Sequence, residues 1–232
     1  MSKKNRRLFP LLHDASYLVL KDMRKALAPI IATAYGTVID YGAGSQAYRY
    51  LLPANIRYRG ADFHVNKPDD ILLTDERHLP VPDNSADWVL SLQVLEHVVD
   101  PAAYIGECFR VLRPSGTLLL STHGSWPYHP GPKNGDFQRW TKEGLMLLLQ
   151  RAKFMEVSIE PVCCGWRGLL QQSLVIQDPA RHTKSVVRKL LRCVGNSIVN
   201  VATEIIDPFW RRYNVQSDII PVVYVVRAKR PI

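Results

Sequence analysis

The stretch Thr37-Val38-Ile39-Asp40-Tyr41-Gly42-Ala43-Gly44-Ser45-Gln46-Ala47 decides the fold. Its first five residues form a short run rich in β-branched side chains that Gly42 closes, which is a strand pattern. A helical pattern then runs from Ser45 to Leu52 until Pro53 stops it. Strand, glycine turn and helix in this order place Gly42 and Gly44 outside the carboxyl end of a first strand, where open α/β sheets bind ligands. Taken alone, Gly42-x-Gly44-x-x-Ala47 also satisfies the loose dinucleotide fingerprint, so a nicotinamide oxidoreductase stays open at this point.

Working outward, the alternation continues. Strand patterns occupy Arg57–Ala61, Asp70–Leu73, Asp87–Leu92, Gly116–Ser121, Val157–Val162 and Ile220–Val226, with helical segments at Pro101–Leu112 and Thr141–Ala152 between them. Upstream, Leu12, Tyr17, Leu20, Met23 and Leu27 recur at helical steps over Leu11–Thr33, and Pro29 is expected to end that helix. The expected fold is α/β: a Rossmann-like, seven-stranded, mostly parallel sheet with helices on both faces, an N-terminal cap helix and a helical insertion before the last strand. The expected organisation is residues 1–34 as the cap helix and 35–232 as the main domain, with 165–215 as the insertion.

Composition bounds the rest. A chain of 232 residues suffices for one α/β domain with a sizeable core. The 30 Lys plus Arg against 21 Asp plus Glu leave a net charge of +9, which favours acidic partners without choosing among phosphate, lipid or nucleic acid. Cys108, Cys163, Cys164 and Cys193 show no CxxC spacing, so neither a disulfide framework nor a metal site is expected, and a reducing cytoplasm fits. The apolar run after the basic start is short and broken by Pro10, unlike a signal peptide, and no stretch reaches the length of a membrane span.

Asp40 separates the two readings of the glycine turn. A carboxylate two positions before the first glycine repels a pyrophosphate and attracts a cationic amino-acid group. Asp62, 22 residues further on at the end of the second strand pattern, is placed to accept hydrogen bonds from ribose hydroxyls. Asp75 follows the third strand and precedes Leu79-Pro80-Val81-Pro82-Asp83-Asn84-Ser85-Ala86-Asp87-Trp88-Val89; Leu95-Glu96-His97 and Val111-Leu112-Arg113-Pro114-Ser115-Gly116 follow in order.

In these motifs, from about Thr37 to Phe154, the sequence resembles the type 11 group of class I S-adenosylmethionine-dependent methyltransferases. The resemblance implies S-adenosylmethionine as methyl donor. It makes Gly42 and Gly44 the backbone platform under the donor, ties Asp40 to its amino-acid end and gives Asp62 the ribose. Asp75 and the backbone of Glu76 would approach the adenine amino group, and Gln93 would line the methionine side. Two positions depart from the pattern: Gln46 stands where a third glycine is frequent, which is expected to narrow the space beside the donor, and Ser115 replaces the first glycine of a Pro-Gly-Gly turn.

Alignment of a nucleophile with the activated methyl is the main task of such an enzyme, and a hydroxyl acceptor also needs its proton removed. The segment Thr122-His123-Gly124-Ser125-Trp126-Pro127-Tyr128-His129-Pro130, continued by Asp136-Phe137-Gln138-Arg139-Trp140-Thr141, is dense in His, aromatic and charged residues. His123 and His129 are the base candidates, with Trp126, Tyr128, Asp136, Arg139 and Trp140 as acceptor-binding candidates; Asp136 and Arg139 read equally as a structural pair. Glu96 and His97 are expected to be structural. Similar segments in methyltransferases of cell-surface glycan and lipid assembly imply a small-molecule acceptor, a hydroxyl of a sugar, glycan precursor or lipid-linked metabolite.

Within the insertion, Arg181, Lys184, Arg188, Lys189 and Arg192 accompany an apolar stripe of Val187, Leu190, Leu191, Val194, Ile198 and Val201. A basic amphipathic helix over 181–201 can lie on an anionic membrane surface, which would make the protein peripheral at the inner face of a membrane; a helix packed on the domain with a solvated charged face is the alternative. The basic start, Lys3, Lys4, Arg6 and Arg7, raises a nucleic-acid methyltransferase as a rival. No Asn-Pro-Pro-(Tyr/Phe) follows the fourth strand, however, where Ser91-Leu92-Gln93-Val94 stands, so nucleic acid is not the expected partner. A catalytically silent donor-binding scaffold is the other rival, against which the intact Asp40, Gly42, Gly44 and Asp62 weigh.

Overall fold

The computed structural model describes residues 3–65, 67–130, 135–176, 185–213 and 219–232. Strand β1 (Thr37–Tyr41) is buried on both faces. Val38 joins the apolar cluster on one side of the sheet and Ile39 the cluster on the other. Trp88 and Leu90 against Val89 in β4 (Ala86–Leu92), and Leu119 against Leu118 and Leu120 in β5 (Leu112–His123), repeat that division. Alternation with both faces apolar is what a sheet covered by helices on each side requires.

The remaining strands are β2 (Arg57–Asp62), β3 (Ile71–Leu72), β6 (Met155–Val162) and β7 (Val223–Lys229). The sheet runs β3-β2-β1-β4-β5-β7-β6. Strand β7 runs antiparallel to both β5 and β6; the pairs from β3 to β5 are parallel. This is the mostly parallel seven-stranded sheet that the sequence predicts. The chain order reverses between β1 and β4, which opens a crevice at their carboxyl ends.

Helices α3 (Pro101–Val111) and α4 (Lys142–Arg151) cover one face. Each begins on a side-chain cap: Asp100 accepts from the N–H of Ala103 at 3.0 Å, and Thr141 from that of Gly144 at 3.0 Å. The other face is covered by α1 (Lys3–Leu8) and α2 (Tyr17–Ile31), through Leu8, Leu18, Met23, Leu27 and Ile31.

Four local expectations differ from the structure. Residues 1–34, expected as one cap helix with its pattern over Leu11–Thr33, hold two helices, and α1 lies in the basic start ahead of that pattern. Helix α2 continues through Pro29 to Ile31, because a proline in the last turn removes one backbone bond and the end still closes from Ala32 N–H onto Ala28 O at 3.0 Å. The helix expected over Ser45–Leu52 is a single 3₁₀ turn, Ala47–Leu51, since Gln46 holds a left-handed φ of 57° that no α-helix continues. The last strand starts at Val223, after Ile220 at φ 54° and Pro221, rather than at Ile220.

Between β6 and β7 stand α5 (Gly165–Ile176) and α6 (Val186–Tyr213). Arg167 of α5 is buried and joins three helices, bonding Asp22 of α2 at 2.7 and 2.9 Å and Glu204 of α6 at 2.7 Å. Helix α6 turns polar residues inward: Asn196 donates to His13 O at 3.1 Å and Asn200 to Leu12 O at 2.7 Å. Val187, Leu190, Leu191, Val194 and Ile198, more than half exposed, face away from the domain. The inward face is polar and the outward face apolar, the reverse of an ordinary packed helix. Arg181 and Lys184 lie outside the described residues; Arg188 and Lys189 are exposed on α6.

Candidate active site

The glycine turn leaves β1 with Gly42 at φ 80° and Gly44 at φ 49°. A Cβ on Gly42 would stand 2.5 Å from Val94 Cγ2, while one on Gly44 would meet open space. The turn is pinned to the next strand: Gly42 and Ala43 donate to Ala61 O at 2.8 and 3.1 Å, and Gly44 N–H donates to Asp62 Oδ2 at 2.7 Å. An open cleft of about 530 Å³ lies beside it, lined by Gly42, Asp62, Phe63, Leu73, Glu76, Gln93 and Val98 among others. Apolar Phe63, Leu73 and Val98 stand with the Asp62 carboxylate and bare glycine backbone, a lining that suits a nucleoside with an attached amino-acid chain.

The other acids sit differently. Asp40 is buried beneath the turn, outside the cleft lining, and accepts from the Tyr58 hydroxyl at 2.7 Å. Burial raises its pKa to about 6, against the lowering effect of that hydrogen bond, and Asp62 adds to the rise. Asp75 also lies outside the lining and turns to Arg77, whose Nη2 is 2.6 Å from its carboxylate; those hydrogen bonds lower its pKa to about 2. Glu76 lines the cleft, with its backbone carbonyl accepting from Tyr41 and its side chain from Val99 N–H.

Gln46 does not narrow this cleft. Its buried amide reaches across Gly60 to Asp70 Oδ2 at 2.7 Å, away from the cleft lining. Its left-handed backbone shows why a glycine suits the position. Ser115 has φ 63°, which is the corresponding reason for glycine there.

A second cleft, about 780 Å³ including its open mouth, shares Gln93 and His97 with the first. Gln93 occupies this junction at φ 61°, held by its N–H to Ser121 O at 2.9 Å and by its side chain to Ser121 Oγ at 3.2 Å. Leu20 and Met23 of α2, Arg7 of α1, and Trp126, Glu96, His123 and His129 are among the residues that line the second cleft. Thus helix α1 of the basic start contributes to a ligand-sized cavity, and Arg6 beside Arg7 pairs with Asp14 at 3.1 Å.

Glu96, His97, His123 and His129 meet at the inner end of this cavity. His123 Nε2 lies 3.4 Å from Glu96 Oε1, and its ring stacks on Trp126 with centroids 5.3 Å apart. His129 sits edge-on to both His97 and His123, at 5.0 Å in each case. Burial lowers the pKa of His123 to about 3, so its ring is neutral and a weak proton acceptor at pH 7. His129 is also shifted down by burial, against the opposing effect of Asp136. Burial raises the pKa of Glu96. Glu96, which the sequence reading places in a structural role, lies inside the cluster.

The loop carrying these groups is tied to its surroundings. Phe137 and Gln138 donate to Glu96 O at 2.8 and 3.1 Å, and Trp140 N–H donates to His123 O at 3.0 Å. Arg139 grips Asp136 at 2.6 and 2.7 Å and also donates to Trp126 O at 2.9 Å. Of the acceptor-binding candidates, Trp126 lines the cavity, Tyr128 points to solvent, Asp136 and Arg139 form the loop clamp, and Trp140 packs on the core.

The family profile described as a methyltransferase domain matches residues 39–120. A probable S-adenosylmethionine-dependent methyltransferase of Mycobacterium tuberculosis is 33% identical over 133 residues, covering 55% of this chain and 46% of that protein. The chain spans less than half the length of the curated relatives it matches first. Among solved structures, an S-adenosylmethionine-dependent methyltransferase from Archaeoglobus fulgidus aligns over 97% of each chain at 15% identity with a TM-score of 0.53. The [4+2]-cyclase SpnF aligns over 95% of this chain and 85% of its own at 20% identity and 0.59. At such identities the likeness is one of fold, and the cyclase shows that function must be argued from the site. Ordered motifs, sheet topology and family profile agree that this chain carries a class I S-adenosylmethionine-dependent methyltransferase domain.

Proposed function

We propose that the protein transfers the methyl group of S-adenosylmethionine to a hydroxyl of an amphipathic small molecule, a sugar, glycan precursor or lipid-linked metabolite. The observation that carries this reading is the junction at Gln93 and His97, where the two clefts abut and the second ends in the Glu96, His123 and His129 cluster. When bound, the donor supplies a methyl already activated on a sulfonium. Gly42 and Gly44 offer it backbone, Asp62 accepts from its ribose, Phe63, Leu73 and Val98 enclose its base, and Asp40 contributes negative potential beneath its cationic end.

The acceptor occupies the second cleft, its apolar part against Leu20 and Met23 and its hydroxyl among the imidazoles. Gln93 at the junction orients both partners, and the Asp136–Arg139 clamp holds the loop over them, which is how positioning lowers the barrier.

The outward apolar face of α6, on a helix that also exposes Arg188 and Lys189, favours an acceptor met at an anionic lipid surface, with Arg7 contributing positive charge at the cavity. None of the described helices is long and apolar enough to cross a membrane.

The test is calorimetric titration with S-adenosylmethionine and with NADH, followed by transfer of labelled methyl to glycan and lipid-linked acceptor extracts. Donor binding with label appearing in a methyl ether supports the reading; a folded protein that binds no donor overturns it.

A further inference from the structure

We infer that Glu96, His123 and His129 form a binding site for one divalent transition-metal ion of the zinc class at the inner end of the acceptor cavity. One ligand atom from each of the three lies within 4.8 Å of the others. Bonds of about 2.0 Å in a tetrahedral site set ligand atoms roughly 3.3 Å apart. The 3.4 Å between Glu96 Oε1 and His123 Nε2 already has that spacing.

Two features of the cluster point to a cation. Glu96 is fully buried, and Thr122 Oγ1 donates to its Oε2 at 2.9 Å, while Oε1 receives no hydrogen bond. A buried carboxylate oxygen without a donor is costly, and a cation removes that cost. The nearby positive group, Arg139, is engaged by Asp136 and by loop carbonyls. His123 places its Nε2 beside Glu96 Oε1 without hydrogen-bonding to it.

His129 shows the second feature. Its Nδ1 faces Pro127 O at 3.1 Å and Asp136 Oδ2 at 3.3 Å, so the proton belongs on Nδ1 and Nε2 carries the free lone pair. A carboxylate or carbonyl behind the far nitrogen is the arrangement that fixes the tautomer of a metal-bound imidazole. Asp136 is fixed in turn by Arg139 and by the His129 N–H at 2.9 Å.

Three protein ligands leave a tetrahedral cation one position, and all three residues line the acceptor cavity, so an acceptor oxygen can complete the shell. The site rests on the methyltransferase reading only for that last role; the ligand geometry stands without it. Among its ligands, two nitrogens and one carboxylate select zinc, cobalt or iron over magnesium and calcium.

The experiment titrates metal-free full-length protein with Zn²⁺ and, separately, Co²⁺, following heat, thermal melting and the visible cobalt spectrum. Wild type is expected to take one equivalent, melt higher and show the absorption of four-coordinate cobalt. Glu96→Gln and His129→Ala are expected to weaken Zn²⁺ binding at least ~100-fold, Asp136→Asn about 10–100-fold, and His13→Gln not at all. Folding of each variant is monitored by donor titration. Donor binding without saturable metal binding overturns the metal site and leaves the methyltransferase reading standing. Metal binding without donor binding does the reverse. Zn²⁺ affinity unchanged in both Glu96→Gln and His129→Ala also overturns it.

Discussion

Gly44 donates its backbone N–H to Asp62 Oδ2 at 2.7 Å, so the turn after β1 and the acid ending β2 form one hydrogen-bonded edge of the cleft proposed for the donor. Asp62→Ala removes both the proposed acceptor for ribose and the brace on the turn. With a hydrogen bond to a charged group worth about 1.5–3 kcal/mol, donor affinity is expected to fall roughly ten- to hundredfold. Calorimetry on the variant checks this; unchanged affinity would remove Asp62 from the donor site.

Asp40 gives a pH dependence whose sign is fixed by burial. Its pKa rises from the usual 3.8 to about 6 on folding, so the stability associated with its protonated form is complete below the unfolded value and is lost as pH rises through about 6. The rise corresponds to roughly 3 kcal/mol at most. Asp40→Asn, which keeps an acceptor for Tyr58, is expected to unfold later than wild type in denaturant at pH 7.5 and to lose this advantage near pH 4. A cationic donor favours the ionised carboxylate, so binding near pH 6 should release protons in wild type and not in the variant; titrations in buffers of different ionisation enthalpy measure that.

Gly42 and Gly44 separate two costs. Alanine at either pays about 1–2 kcal/mol for a left-handed backbone, and only at Gly42 does the new Cβ meet Val94, at 2.5 Å. Gly42→Ala is therefore expected to lower the melting temperature and donor affinity more than Gly44→Ala. Equal effects in melting scans and titrations would argue that Val94 moves aside freely.

Arg139 holds its loop through a two-nitrogen grip on Asp136 and a bond to Trp126 O. Arg139→Lys keeps the charge and loses the fork, so acceptor kcat/KM should fall about tenfold or more while donor affinity holds. Loss of donor affinity in parallel would show that the clamp supports the whole domain instead of the acceptor side.

Leu190 and Leu191 are 64% and 67% exposed on α6. Cosedimentation with phosphatidylserine-containing vesicles is expected for wild type, weakening with salt, and Leu190→Glu with Leu191→Glu should abolish it while secondary structure persists. If the same pair instead converts a dimer to a monomer in sedimentation, the face joins two copies of the chain.

Local sequence determined the sheet, the glycine turn and the chemical types along the first cleft, because strand alternation and turn residues are written in neighbours a few positions apart. Tertiary structure decided what distant segments share. Arg7 reaches the second cleft because α1 packs beside the 3₁₀ turn after β1, and Glu96 meets His123 and His129 because β4 and β5 end side by side. Nor does residue spacing show that Asp40 lies under the cleft, that Gln46 points to Asp70, or that α6 turns its asparagines inward. A side chain's chemistry is carried by its residue type, whereas its burial, partners and protonation are set by the elements packed around it, and those come from anywhere in the chain.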